Sequence, residues 1–497
     1  LKVYTTLDSR LQAYAEESMR EHLAWLQSNF NRQIKGPGNT DTCSNYLDDN
    51  GVYHVCDSGK EPWIRDSSII IRAWKQSARY KGLQGTMSER EIYKNFQQPV
   101  PMEIFDWYDK NDTTNKKSRK IAAKISKDIN FKEDTSDFII VRSVTMSPWD
   151  SIKYYLRFLN PGLLGVDPQT GEVRVWVGGI DHRFFQYDHV KASKRQVGST
   201  FKPFVYAVAF KDGYSPCHQE LNQPVEIETP EGAWIPKNSD GKYGGKITLR
   251  KALATSTNTV TARLMKKLGA QAVVNLAHEM GIKSDLKPVP SLGLGTTDLS
   301  VYELTTAYIP FANKGRAVEP IWITRIEDKN GNVVYRNEKI GTSKSVLSEE
   351  TAYLMIEMLR AVVNEGTGAG LTWQFKIPYG PDIGGKTGTT QNNSDGWFVG
   401  VTPKLVCGIW VGNSDRSVHF PTTNWGQGSK MAMPIFGRMM KRVYDDPDFV
   451  EYKKTTFQRP KNLNIETNCS KYEESDSTDV PTNSEEIKDK KSTLIFD

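Results

Sequence analysis

The sequence predicts an α+β fold, an antiparallel sheet with helices packed on it, the strands coming from both ends of the chain. Three observations carry this prediction. Apolar residues recur at helical spacing in successive stretches between residues 200 and 363. Residues 163–177 alternate as a β-hairpin around the turn Asp167-Pro168-Gln169-Thr170-Gly171. From Ile383 onward, short β-prone runs are separated by turn residues.

In chain order, Val3 to Leu7 is β-prone, and Asp8 to Phe30 reads as a helix, with Leu11, Ala15, Met19 and Leu23 every four residues and Asp8 as N-cap. Residues 36–60 read as a polar loop. Residues 109–137 read as a charged insert whose basic run (Lys116, Lys117, Arg119, Lys120) lacks the interleaved aromatics of a nucleic-acid site. Ser147-Pro148-Trp149-Asp150 has the form of a capped helix start, with Pro at the first helical position, before the helical stretch Ile152 to Leu159. After the hairpin, helices are expected over 200–212, 248–254, 259–268, 271–280, 298–312 and 349–363. Strands follow at Gly384–Thr390, Trp397–Val401 and Leu405–Val411. Beyond Pro460 the chain is polar and expected to be mostly disordered. These shifts divide it into residues 1–145, a linker or pedestal region with polar inserts; 146–449, the domain with the chemistry; and 450–497, a flexible tail.

Composition sets bounds on function. The 497 residues, 38% hydrophobic, suffice for a large core and an accessory domain. The net charge of +6 comes from 65 basic and 59 acidic residues that are well mixed, so no nucleic-acid partner is expected. No stretch approaches the roughly 18–20 apolar residues that span a bilayer. The chain opens on Leu1 without a signal-like segment and reads as a fragment, any membrane anchor lying in residues not included. Of five cysteines, none has metal-ligand spacing. Only Cys43 and Cys56 look like disulfide partners, flanking a turn-rich segment in an oxidising compartment, with two free thiols as the alternative. No His or carboxylate cluster has metal spacing, so neither a metal nor a cofactor is expected.

The chemistry-bearing residues form three short motifs. Ser199-Thr200-Phe201-Lys202 opens a strongly apolar helix. Residues three apart share a helix face, so Lys202 stands one turn from the Ser199 hydroxyl, at a helix N-terminus that favours developing negative charge. Ser239-Asp240-Gly241-Lys242 and Ser284-Asp285-Leu286-Lys287 have the same spacing but sit in turn or loop sequence. A serine needs a base, and a lysine serves only if burial or a second cation lowers its pKa; Lys386 would be that cation. Ser256-Thr257-Asn258 lies between two helical stretches, where Asn258 has the position of an ordinary N-cap unless the neighbouring motifs make it part of a cleft. Lys386-Thr387-Gly388-Thr389 occurs once, on a glycine-rich strand whose bare edge suits an extended peptide, with Lys386 and the threonine hydroxyls ready for a terminal carboxylate.

Ser-x-x-Lys, Ser-x-Asn and Lys-Thr-Gly in this order are a known signature of penicillin-binding proteins and serine β-lactamases. Residues 160–415 resemble the transpeptidase domain of class A, bifunctional penicillin-binding proteins. The likeness extends to Arg195–Phe204, Gly293-Leu294-Gly295, Glu303-Leu304, Phe311–Gly315, Glu365-Gly366-Thr367-Gly368 and Asp395–Gly400. Val197 stands where the family often has proline. Val3–Asp8 is similar to the junction that follows the family's glycosyltransferase domain, whose motifs are not found here.

The resemblance implies a transpeptidase fold of the penicillin-binding protein and serine β-lactamase type. It also implies a D,D-transpeptidase that crosslinks peptidoglycan stem peptides and is acylated by β-lactams. Ser199 would attack, Lys202 accept its proton, and Ser256 with Asn258 relay a proton and orient substrate. The backbone N–H groups of Ser199 and Thr389 would hold the oxyanion, and Lys386, Thr387, Gly388 and Thr389 the substrate's terminal carboxylate. Cell-wall synthesis proteins would be partners, and the location would be the periplasmic face of the bacterial inner membrane, through an anchor absent from this chain. The alternatives are a D,D-carboxypeptidase or β-lactamase-type hydrolase, and a non-catalytic penicillin sensor or scaffold.

Overall fold

The structure, a computed structural model, describes residues 1–35, 46–47, 53–54, 67–107, 132–133, 138–229, 232–338, 342–377 and 380–473. Helix α1 spans Ser9–Lys35 and is capped by Asp8, whose Oδ1 accepts from the N–H groups of Arg10 and Leu11 at 3.0 Å. Its periodic residues Leu11, Ala15, Met19 and Leu23 are buried. The strand before it, Lys2–Thr5, pairs antiparallel with Ile323–Glu327.

A five-stranded antiparallel sheet organises the rest. It contains β1 (Asn160–Val166), β2 (Val173–Val177), β3 (Gly384–Thr389), β4 (Asp395–Val401) and β5 (Val406–Gly412), in the order β3-β4-β5-β1-β2. Successive side chains of a strand point to opposite faces, and here both faces are covered. Trp397, Val399 and Trp410 join a core with α2 (Lys202–Lys211), α3 (Asn258–Leu268), α4 (Val301–Ala312) and α5 (Glu349–Glu365). Phe398, Ile409 and Val411 join a second core with α1 and α6 (Met433–Asp445). Burial of both faces explains why β4 and β5 are buried at every position.

Ser147 caps the helix Pro148–Tyr155 by accepting from the Asp150 N–H at 3.1 Å; this helix ends before Leu159 because the chain enters β1 at Asn160. Periodicity did not single out the preceding helices Ser67–Gln76, Ala78–Leu83 and Glu89–Phe96, or the paired strands Val100–Trp107 and Ile139–Met146. Phe105 of this region packs with Tyr154 and Phe158 into the second core.

One expectation is corrected at the C-terminal end. The residues just beyond Pro460 do not form a disordered tail up to residue 473. The Phe457 N–H donates to Asp382 at 2.9 Å, Leu463 is buried in the first core, and Cys469 forms a disulfide with Cys217. A few spaced anchors fix an extended strap that its polar composition conceals, and a pairing 252 residues apart has no local cue. The expected partners Cys43 and Cys56, and most of the loop 36–60 and the insert 109–137, lie outside the described residues. Among the described residues no helix is long and apolar enough to cross a membrane.

Candidate active site

The site forms where the start of α2, the loop before α3 and the edge strand β3 meet. Gly198–Phe201 makes a 3-10 turn that runs into α2, and Pro203 is tolerated because the first helical turn needs no N–H from it. Gly198 has φ +54°, and a Cβ there would lie 2.6 Å from the Thr389 carbonyl oxygen. Glycine is therefore what allows the Ser199 turn to rest against β3. A buried ion pair braces the same junction: Arg195 Nε donates to Asp395 Oδ1 at 2.6 Å, and Trp410 Nε1 donates to the same oxygen at 3.0 Å. The chain just before the Ser199 turn is thus tied to the first residue of β4.

Ser199 is half-buried, and among the described residues its hydroxyl makes no hydrogen bond, to Lys202 or to any other group. Lys202 is fully buried. Its Nζ donates to Ser256 O at 2.5 Å and to Asn258 Oδ1 at 2.7 Å, and lies 3.3 Å from Ser256 Oγ. Lys386, also fully buried, donates to Ser256 Oγ at 2.9 Å and to Thr387 O at 3.0 Å. Ser256 thus lies between two lysines, with its carbonyl and its hydroxyl both used. Its backbone explains how: φ is +59°, a left-handed conformation rarely adopted by serine, held by the Ser256 N–H on Leu253 O and the Thr257 N–H on Ala252 O.

The electrostatics follow from burial. Neither lysine has a carboxylate partner among the described residues. Burial, and then the charge of Lys386, push the Lys202 pKa well below that of an ordinary lysine, while burial lowers Lys386 to about 7. A neutral Lys202 amine that donates its two N–H bonds to Ser256 O and Asn258 Oδ1 keeps its lone pair free to accept a proton. Lys386 retains partial charge near neutrality, and a carboxylate bound beside it would draw its proton back.

The anchor strand is held from behind. Thr387 and Thr367 hydroxyls lie 2.7 Å apart, and Thr389 Oγ1 accepts from the Gly428 N–H at 3.1 Å, so the Thr389 hydroxyl hydrogen remains available to an anion. Gly388 faces the Ser199 turn, where a Cβ would lie 2.7 Å from Val197 O. The structure therefore brings Ser199, Lys202, Ser256, Asn258, Lys386, Thr387, Gly388 and Thr389 to one cleft.

The other Ser-x-x-Lys matches lie elsewhere. The Ser284 hydroxyl is bound to the Glu303 carboxylate at 2.8 Å and 2.9 Å, and Ser239 is exposed in a loop. Of the two readings of Asn258, the N-cap alternative does not hold: α3 begins at Asn258 itself, whose side chain turns to Lys202 Nζ, the lysine the resemblance has it orient, and, through Nδ2, to Lys237 O at 2.7 Å. Thr367 and Gly428 were assigned no role from sequence. Their only signals are the Gly-Thr-Gly run at 366–368 and the Gly-Gln-Gly run at 426–428, neither of which names a partner.

Comparison with known proteins agrees with this geometry. Residues 162–441 match the penicillin binding protein transpeptidase domain, and residues 58–159 match the penicillin-binding protein middle domain. Penicillin-binding protein 1A of Aquifex aeolicus (strain VF5) is 36% identical over 296 residues, 59% of this chain and 39% of that protein. Penicillin-binding protein 1A of Rickettsia bellii (strain RML369-C) is 28% identical over 477 residues, 91% of this chain and 55% of that protein. The chain thus spans about two fifths to a little over half of the length of these relatives. Among solved structures, penicillin-binding protein 1A from Haemophilus influenzae superposes with a TM-score of 0.64 at 21% identity, covering 92% of this chain and 68% of that one. The PonA1 protein from Mycobacterium tuberculosis in complex with penicillin V gives 0.52 at 21% identity, covering 80% and 96%. These two likenesses concern the fold.

Proposed function

Because the chain belongs to the family of penicillin-binding protein transpeptidase domains, we propose that it is a serine D,D-transpeptidase that crosslinks peptidoglycan stem peptides and is acylated by β-lactams. The observation that carries this reading is the pair of buried lysines joined through Ser256, one of them a helical turn after Ser199 and the other on the strand that the Ser199 turn packs against, a base and a carboxylate anchor joined by one relay. Ser199 Oγ attacks the carbonyl of the terminal D-alanyl-D-alanine bond as its proton passes to the neutral amine of Lys202. The N–H groups of Ser199 and Thr389 hold the oxyanion; one such donor is typically worth about 100- to 1,000-fold. The proton travels through Ser256 Oγ to the departing D-alanine nitrogen as the peptide bond breaks and the acyl-enzyme forms. Lys386, Thr387 and Thr389 hold the substrate's terminal carboxylate, along the edge of β3. An amine of a second stem peptide then attacks the ester, restoring Ser199 and forming the crosslink. The bond broken supplies the free energy, so no nucleotide is needed.

The names of the relatives support placing the chain in the 1A type of the family, the class A bifunctional proteins. We place it outside the cytoplasm, at the periplasmic face of the inner membrane and working with other cell-wall synthesis proteins; the Cys217–Cys469 disulfide favours an oxidising compartment. Residues 146–449 would be the transpeptidase unit and 1–145 its pedestal.

The test is intact-mass analysis after exposure to labelled penicillin. One acyl group is expected on the chain and none on Ser199→Ala; equal labelling of both rejects the assignment. A persistent adduct with crosslinking of oligomeric substrate supports the transpeptidase. Rapid loss of label points to a hydrolase, and a stable adduct without crosslinking to a sensor or scaffold.

A further inference from the structure

Helix α3 carries Asn258 into the site, yet nothing local caps it. Its N-cap residue, Thr257, makes no side-chain bond to the helix N–H groups, and the side chain of Asn258 is committed to Lys202. Asn238 supplies the cap from a separate loop. Its Oδ1 accepts from the N–H of Asn258 at 2.9 Å and of Thr259 at 3.1 Å, while its Nδ2 donates to Asn222 Oδ1 at 2.8 Å and to Lys242 O at 2.7 Å. Every hydrogen-bonding position of this buried amide is filled, which also fixes which end is oxygen. The preceding residue completes the grip, because Lys237 O accepts from Asn258 Nδ2 at 2.7 Å. Asn258 is thus pinned at its backbone by Asn238 and at its amide nitrogen by Lys237, and the one direction left to its Oδ1 is the one it takes, toward Lys202 Nζ.

We propose that Asn238 is a positioning residue for proton transfer, acting through Asn258 to aim the Lys202 amine at Ser199. Two acceptors, Ser256 O and Asn258 Oδ1, orient that amine. If Asn258 rotates or drifts, one of them is lost and the lone pair swings off the serine proton. Asn222 belongs to the same device, since its Oδ1 takes both Asn238 Nδ2 and the Thr259 hydroxyl, the latter at 2.8 Å. No element near Asn238 in sequence forecasts this; the loop and the helix it caps meet only in the folded chain.

The proposal rests on the reading of Ser199 as the acylated serine, which the Ser199→Ala comparison tests separately. Its own test is a double-mutant cycle on acylation by labelled penicillin, with unfolding followed in parallel. Asn238→Ala is expected to slow acylation by about ten- to a hundred-fold, the scale on which small misplacements act. In an Asn258→Ala background the same change is expected to have less than about a two-fold effect, because the group through which it acts is gone. A purely structural role for Asn238 would slow both backgrounds alike; that result, or wild-type acylation by Asn238→Ala, overturns the proposal. If Asn238→Ala does not yield folded protein, Asn222→Ala carries the same cycle with the same two outcomes.

Discussion

Lys202 is where a single residue most clearly sets function against stability. An ammonium that burial and a neighbouring cation hold at a depressed pKa binds fewer protons in the folded than in the unfolded chain. Its cost to stability is greatest at low pH and disappears as pH rises toward the ordinary lysine value of about 10.4. Lys202→Met should therefore abolish acylation while raising the unfolding midpoint at pH 7, and this gain should shrink as pH approaches 10. Denaturation curves at both pH values check it. In the wild type, the second-order acylation rate should climb as Lys202 loses its proton and fall as pH passes about 7, where unliganded Lys386 loses its own. A rate independent of pH from 5 to 9 would rule out both assignments. The residue types were legible in the sequence, since Ser199 and Lys202 lie one turn apart and Lys386 sits in a distinctive motif. Local spacing did not show that Ser256 would bridge the two lysines, its carbonyl accepting from Lys202 and its hydroxyl from Lys386, because that depends on a left-handed turn set by the helix before it.

Among the elements, the contact between the 3-10 turn and β3 governs the site. Both proposed oxyanion donors sit on it, one on each side, and the two backbones approach so closely that a methyl group has no room. Gly198→Ala forces a side chain into a left-handed conformation and a Cβ against Thr389 O, so the turn must move off the strand. Acylation is expected to fall by about 100-fold or more, the loss typical of one oxyanion donor, and stopped-flow measurement with a chromogenic β-lactam reads this directly. The elements themselves were largely readable: α1, α4, α5 and the hairpin β1–β2 carry periodicity or turn chemistry, α2 is apolar on all sides, and β3–β5 are punctuated by glycine and turn residues. The role of Asn258 was legible only through its neighbouring motifs, because a Ser-x-Asn run before an apolar helix also fits a local N-cap; that the fold brings the cap from Asn238 was not legible at all.

For the molecule as a whole, the C-terminal strap ties parts that the chain separates widely. It leaves α6, crosses to Asp382 beside α5, seats Leu463 in the first core and joins Cys217 in the loop that follows α2. Cys469→Ser should lower stability by about 2–5 kcal/mol. Dithiothreitol should lower the midpoint of the wild type to match and leave the variant unchanged, with Tm as the measurement. If the reductant affects both proteins equally, the Cys217–Cys469 bridge is not the source.

The sequence by itself determined the chemistry on offer and its order, the local turns and helices that present it, and an α+β layout drawing its sheet from both ends. These depend on residue type and on contacts within a few positions. Tertiary structure alone decided that Ser256 joins the two motif lysines, that Cys217 pairs with Cys469, and how far the pKa of a lysine falls. Each of those outcomes depends on burial and on partners tens to hundreds of residues away, and neither is a property of any short stretch of chain.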